Sequence, residues 1–275
     1  MNSSAPTAPT AGTDHDISRL RPALGTLVAV EAHADDARCA ERGIEAAYQA
    51  IALVDRCMHP RREGSDLTAL QRCAPGETLN VQAWTYEVLT LCRRLNHDSE
   101  GTFDPCLPDS AARMSDIELI EPHRVTPHAR LSIDLGGIAK GFAVDRALDA
   151  LRAAGCHGGL VNAGGDLAVF GARTYDIVCP GERVALRNAA LATSDAGGDP
   201  ELVHARPPEH RGYYDGAARA MLARSGRRAV PISGSVSVVA PTAAIADALT
   251  KCLLIGERPW TASLLERYDA RRIGA

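Results

Sequence analysis

The chain has 275 residues, 45% of them apolar and 23% charged, with a net charge of -4 and no basic tract. That length can bury a sizeable core, and the charge balance argues against nucleic acid as a partner. No window is long and apolar enough to cross a bilayer, so no transmembrane segment is expected. Residues 1–18 are small, polar and Pro-containing, and read as a disordered leader with no apolar stretch behind a basic start. Without a signal peptide the chain is expected in the cytoplasm, or in the periplasm if the sequence is a trimmed one. Leu24 to Ala32 alternates and predicts a strand. Asp36 to Met58 carries Ile44, Ala47, Ile51 and Val54 at helical spacing and predicts a helix, broken at Pro60. Ser65 reads as the N-cap of a short helix through Leu67 and Leu70, and Val81 to Asn96 as a further amphipathic helix. Gly101 to Pro108 is a loop, and Leu131 to Asp134 a short strand that runs into Gly136-Gly137.

Ala139 to Ala154 predicts a strong helix ended by Gly155. Strands follow at Gly159 to Asn162, Leu167 to Phe170, Tyr175 to Cys179 and Ala190 to Thr193. Residues 195–228 are polar, rich in Gly, Pro and Arg, and read as partly mobile. Ser235 to Ala240 is a strand, and Ala243 to Ile255 a helix closed by Gly256. The fold class expected is α+β, with mixed or antiparallel sheets and packed helices, as one domain over 19–260 and a C-terminal tail over 261–275. The eight cysteines are scattered without a C-x-x-C pair, which reads as buried thiols in a reducing compartment.

Three segments carry candidate chemistry. In Asp134-Leu135-Gly136-Gly137-Ile138-Ala139-Lys140-Gly141 a strand ends in an acid, a glycine pair lets the backbone approach a ligand, and a helix opens whose first N–H groups can receive a phosphate. Lys140 adds a cation there; a plain strand–helix turn would look the same. Asn162-Ala163-Gly164-Gly165-Asp166 suits either a hairpin turn or a backbone edge packed on a flat ligand. In Asp247-Ala248-Leu249-Thr250-Lys251 the acid, the hydroxyl and the ammonium share one helix face. That helix is apolar almost all round, so it is buried and its acid needs a partner. Lys251, as an internal ion pair, or a hard metal held by carboxylate, hydroxyl and carbonyl oxygens would each serve.

In order, these segments resemble the FAD:protein FMN transferases, the ApbE-like family. Further matches are Leu24-Gly25-Thr26, Met58 with Ser65-Asp66-Leu67, Gly101-Thr102-Phe103-Asp104-Pro105, Ala192-Thr193-Ser194 and Ser235-Val236-Ser237-Val238. The resemblance implies an ApbE-like, T-fold-like architecture and Mg²⁺-dependent transfer of FMN from FAD to a Thr or Ser hydroxyl of an acceptor flavoprotein, leaving AMP. FAD hydrolysis to FMN and AMP, or FAD binding without catalysis, are the alternatives it leaves. It implies that Asp134, Lys140, Thr102, Phe103 and Asp104 contact FAD, with Leu24, Arg61, Gly164, Gly165, Asp166 and Thr193 also on the cofactor side. The Gly137 carbonyl, Asp247 and Thr250 would ligate Mg²⁺, and Asp247, His204 and Asp215 would be the catalytic group.

The chain departs from the family pattern at several positions. Lys251 stands where the family carries a Thr metal ligand, and an ammonium cannot ligate Mg²⁺; it can take over part of the metal's charge or weaken metal binding. Arg61 stands where an aromatic residue lines the flavin site, and Leu24 replaces a Met. The family's H-x-x-D-P-x-T-G loop has no clean copy in 195–232, where His204-Ala205-Arg206-Pro207 and Tyr213-Tyr214-Asp215-Gly216 are partial matches.

Overall fold

A computed structural model describes residues 15–107, 110–180, 182–195, 235–254 and 258–274. Seven strands form the main sheet, in the order β1 (His15–Ala23), β2 (Thr26–Ala34), β6 (Gly158–Ala163), β7 (Asp166–Phe170), β10 (Ala190–Asp195), β11 (Ser235–Ala240) and β12 (Arg271–Ile273). Neighbours pair antiparallel throughout. A small sheet of β3 (Leu79–Asn80), β5 (Arg124–Pro127) and β4 (Ile117–Ile120) lies apart, and β8 (Tyr175–Cys179) with β9 (Glu182–Leu186) forms a hairpin. The α+β expectation holds, with every sheet antiparallel. Two expected boundaries differ: the first strand begins at His15, inside the stretch assigned to a leader, and the expected tail holds α6 (Thr261–Arg267) and β12.

The helices are α1 (Ala37–Met58), α2 (Asp66–Arg72), α3 (Ala83–Asp98), α4 (Ala139–Ala153), α5 (Ala243–Leu254) and α6. Their ends follow from local chemistry. Asp36 accepts from the Cys39 N–H at 2.8 Å, and Ser65 from the Thr68 N–H at 3.1 Å, each satisfying an orphan donor of a first turn. At the far end of α4, Gly155 has φ +93° and the paired bonds Cys156 N–H to Leu151 O and Gly155 N–H to Arg152 O form a Schellman motif.

Strand β7 shows how the sheet divides the interior. All five of its residues are buried. Its side chains alternate, so Ala168 and Phe170 join the large core under the helices, while Leu167 and Val169 join a smaller cluster with Cys179, Val184, Leu186, Leu191 and Ile273 beneath the β8–β9 hairpin. The same alternation puts Asp166 on the helix side. Helices α4 and α5 cross on that side, and α5 also packs on β10 and β11.

Candidate functional site

Helix α5 is buried on nearly every side; Asp247, Thr250 and Lys251 are as enclosed as the leucines around them. Polar atoms in such a place must find partners within the protein. The Lys251 ammonium donates to Asp247 Oδ1 at 2.8 Å, to Thr250 Oγ1 at 3.1 Å and to Ser194 Oγ on β10. Ser194 and Thr250 hydroxyls lie 2.7 Å apart, and Thr250 donates to the Asp247 carbonyl at 2.7 Å. Three ammonium donors and three oxygen acceptors thus close on one another. Asp247 Oδ2 accepts the Gly141 N–H at 3.3 Å from the first turns of α4.

Beside this group, Lys140 of α4 pairs with Asp166 Oδ2 at 2.6 Å. Asp166 is 1% exposed, and its other oxygen, Oδ1, has no hydrogen-bond partner among the described residues. Burial first, and the Asp247 charge second, push the Asp166 carboxyl up, while Lys140 and Lys251 oppose them. Two carboxylates and two ammonium groups, drawn from three segments far apart in sequence, therefore share one low-dielectric corner.

The close approach of α4 and α5 makes this possible. A Cβ on Gly141 would lie 2.2 Å from the Ala243 carbonyl oxygen, so only glycine permits the crossing. Asp145, one turn on, accepts the N–H groups of Ala243 at 2.7 Å and Ala244 at 2.9 Å and caps α5 from outside its own chain segment.

The other expected residues fall around the corner in different ways. Gly137 is buried against the Lys251 stem, since a Cβ there would meet Lys251 Cγ at 3.4 Å and Phe103 Cε2 at 3.7 Å. Phe103 is buried and Thr102 nearly so; Asn96 donates to the Phe103 carbonyl at 2.7 Å, and Ser99 accepts its N–H. Asp104 accepts the Cys106 N–H at 2.9 Å, and burial pushes its carboxyl up. Asp134 accepts the Gly136 N–H at 2.7 Å and so shapes the glycine turn that leads into α4. Gly164 and Gly165, at φ +66° and +101°, make the two-residue turn of the β6–β7 hairpin. A Cβ on Gly164 would meet Thr26 Oγ1 at 2.7 Å, which brings the Leu24-Gly25-Thr26 turn, with φ +52° at Leu24, to the same end of the sheet. Arg61 is exposed in the connection after α1. Thr193 faces the opposite side of β10 from the corner and bonds the Ser237 hydroxyl at 2.8 Å.

Ser194, not singled out from the sequence, is the β10 residue that enters the corner; counting alternate residues from the buried Ala190 and Ala192 would have found it. His204 and Asp215 lie outside the described residues.

The expected Mg²⁺ ligands fail one test. Asp247 and Thr250 supply hard oxygen donors, as Mg²⁺ requires. Both are already engaged by the Lys251 ammonium. A dication about 4 Å from that ammonium would be repelled by roughly 8 kcal/mol at an effective dielectric of about 20. With Lys251 in this position the oxygen set does not accommodate Mg²⁺.

The ApbE family model matches residues 24–111 and 107–272. The FAD:protein FMN transferase of Rhodobacter capsulatus is 27% identical over 280 residues, covering 89% of this chain and 52% of that protein. The chain thus spans about half the length of that relative. The FAD:protein FMN transferase of Treponema pallidum (strain Nichols) is 24% identical over 296 residues, covering 91% of this chain and 82% of that one. Among solved structures, the apo flavinyl transferase ApbE of Pseudomonas stutzeri superposes with a TM-score of 0.77 at 19% identity, over 94% of this chain and 92% of that one. The flavin transferase ApbE of Vibrio cholerae gives 0.71 at 19% identity, over 94% and 93%. These superpositions establish a shared fold.

Proposed function

The chain belongs to the ApbE family, and from that membership we propose that it transfers FMN from FAD to a Thr or Ser hydroxyl of an acceptor flavoprotein. The acceptor oxygen attacks the phosphorus on the FMN side of the pyrophosphate. A phosphoester forms, the bond to the AMP phosphate breaks, and the hydroxyl proton leaves to a base as AMP departs. Such a transfer asks the protein for positioning and for positive charge at the phosphates. The observation that carries the reading is the buried corner itself, where Lys140 and Lys251 face Asp166 and Asp247. The Lys140 ammonium would receive the pyrophosphate. Asp134 and the Thr102-Phe103-Asp104 turn would flank the cofactor, and Gly164-Gly165 would let the backbone approach it. Leu24, Arg61 and Thr193 would also lie on the cofactor side. On the acceptor side His204 and Asp215 are the candidates for handling the hydroxyl proton. Mg²⁺ has no step in this scheme.

A second reading is FAD binding without catalysis. It is favoured by the closed bonding of Lys251, which leaves the Asp247 and Thr250 oxygens already satisfied. The test is to incubate the purified protein with FAD, with and without Mg²⁺ and an acceptor domain, and to follow AMP and acceptor-bound flavin by chromatography. AMP release with covalent flavin on the acceptor, abolished by Asp247→Ala, is expected. AMP release without covalent flavin would mean hydrolysis, and tight FAD binding without AMP would leave the binder. Failure to bind FAD would overturn both readings.

A further inference from the structure

The cation corner on α5 is occupied by the protein's own side chain. Lys251 Nζ sits among Asp247 Oδ1, Thr250 Oγ1 and Ser194 Oγ, contributed by a helix and by the strand it packs on. Its side chain is 5% exposed and that of Asp247 is fully buried, so neither partner is held by solvent. The Gly137 turn closes against the lysine stem from the other side, with Phe103 next to it. Within the corner Lys251 is paired with Asp247 and Lys140 with Asp166, so the place beside Asp247 already holds a cation of the protein's own. Asp166 Oδ1 is buried without a hydrogen-bond partner among the described residues.

We infer that Lys251 is a built-in cation, which holds Asp247, Thr250 and Ser194 in place and supplies the positive charge behind a bound diphosphate, so that this chain binds its diphosphate ligand without a divalent metal. The identity of that ligand as FAD rests on the reading above; the built-in cation does not. Lys251 acts as a positioning residue. Its three donors go to protein oxygens, so its charge would act on a bound phosphate through space and not by a direct bond. The more exposed Lys140 remains the group that would touch them.

The test has two arms. In the first, thermal unfolding of the wild-type protein and of Lys251→Thr is followed in EDTA and in millimolar Mg²⁺ or Mn²⁺, with no other ligand. The wild type is expected to show no metal-dependent shift. Lys251→Thr leaves the Asp247 charge buried and unpaired, so it should unfold earlier in EDTA and recover by several degrees, about 3 or more, when metal is added. A lysine with only a packing role would give a variant that metal does not rescue. In the second arm, FAD is titrated into the wild type by flavin fluorescence in EDTA and in Mg²⁺. Dissociation constants within about twofold of each other are expected. A metal-induced shift in the wild type, an affinity at least about tenfold weaker in EDTA, or a folded Lys251→Thr that metal leaves unchanged would overturn the inference. If Lys251→Thr does not fold, the two wild-type measurements decide it. Absence of FAD binding in both buffers would overturn the flavin reading alone, and the metal-only unfolding shifts would still decide for or against the built-in cation.

Discussion

Asp145 is one side chain with two opposing demands on it. Its oxygens cap the first two N–H groups of α5, which favours the carboxylate, and burial in the α4–α5 junction disfavours it. Burial wins, and the carboxyl is pushed up to about 6 from an ordinary 3.8. Between those values the folded protein keeps a proton that the unfolded chain has released. The stability this group contributes is therefore full below about pH 4 and is lost as pH rises through about 6. The Asp145→Asn protein lacks the titration. Wild-type unfolding free energy minus that of the variant should fall by about 2 kcal/mol from pH 4 to 6.5, read by urea unfolding at each pH. Other buried acids titrate in both proteins and cancel, so a flat difference, or one that grows with pH, would show that the helix-end bonds outweigh burial. Nothing in the sequence around Asp145 hints that its partner is the distant start of α5. Lys251 was more legible, because its i, i+4 spacing from Asp247 on an apolar helix already offers the ion pair that the structure shows at 2.8 Å.

Among the elements, those with a strong period and a cap were legible, and those exposed on both faces were not. Helices α1 and α2 start where Asp36 and Ser65 signal it, and α4 stops where Gly155 does. Strand β1 carries no buried residue; it is an edge whose alternation has no core to point at, and it reads as polar leader until the pairing with β2 is seen. Strands β3, β4 and β5 are too short for a period to form. The α4–α5 crossing is likewise a property of elements, and Gly141 sets it. Alanine there would gain about 1 kcal/mol of helix propensity. Its Cβ would also sit 2.2 Å from the Ala243 oxygen and 2.5 Å from its carbon, backbone atoms that cannot rotate away. The helices would have to part, and overpacking of this kind costs about 1–3 kcal/mol or more. Gly141→Ala is therefore expected to be destabilised by a net of up to about 2 kcal/mol, and its parted helices should weaken the bond from the residue 141 N–H to Asp247 and with it FAD affinity. Calorimetry and a flavin titration check this; an unfolding temperature equal to wild type would mean that the two helices slide at no cost.

At the scale of the whole molecule, antiparallel hairpins and a chain order of motifs were readable, but the sheet order was not. Placing β10 and β11 beside β7, with β12 returning from the C-terminal end, depends on long-range pairings that no local pattern encodes. The interior is built mainly of small and medium side chains, cysteines included, in a chain with 4% aromatic residues. Seven of the eight thiols are buried and Cys73 is partly exposed; none is in a disulfide. Burial pushes the Cys156 thiol up to about 11 and the Cys252 thiol up to about 12, and raises Cys57 and Cys179 as well. The reactive species is the thiolate, so raised values and lost access act in the same direction. The folded protein should therefore consume about one equivalent of an aromatic disulfide reagent quickly, at Cys73, and the rest only as fast as it opens. Cys73→Ser should remove the fast phase, and mild denaturant should accelerate the slow one in step with unfolding. Two or more fast equivalents in the native protein would mean that the layers around α1, α4 and α5 open locally far more readily than their packing implies, and the corner they enclose would then not be kept dry.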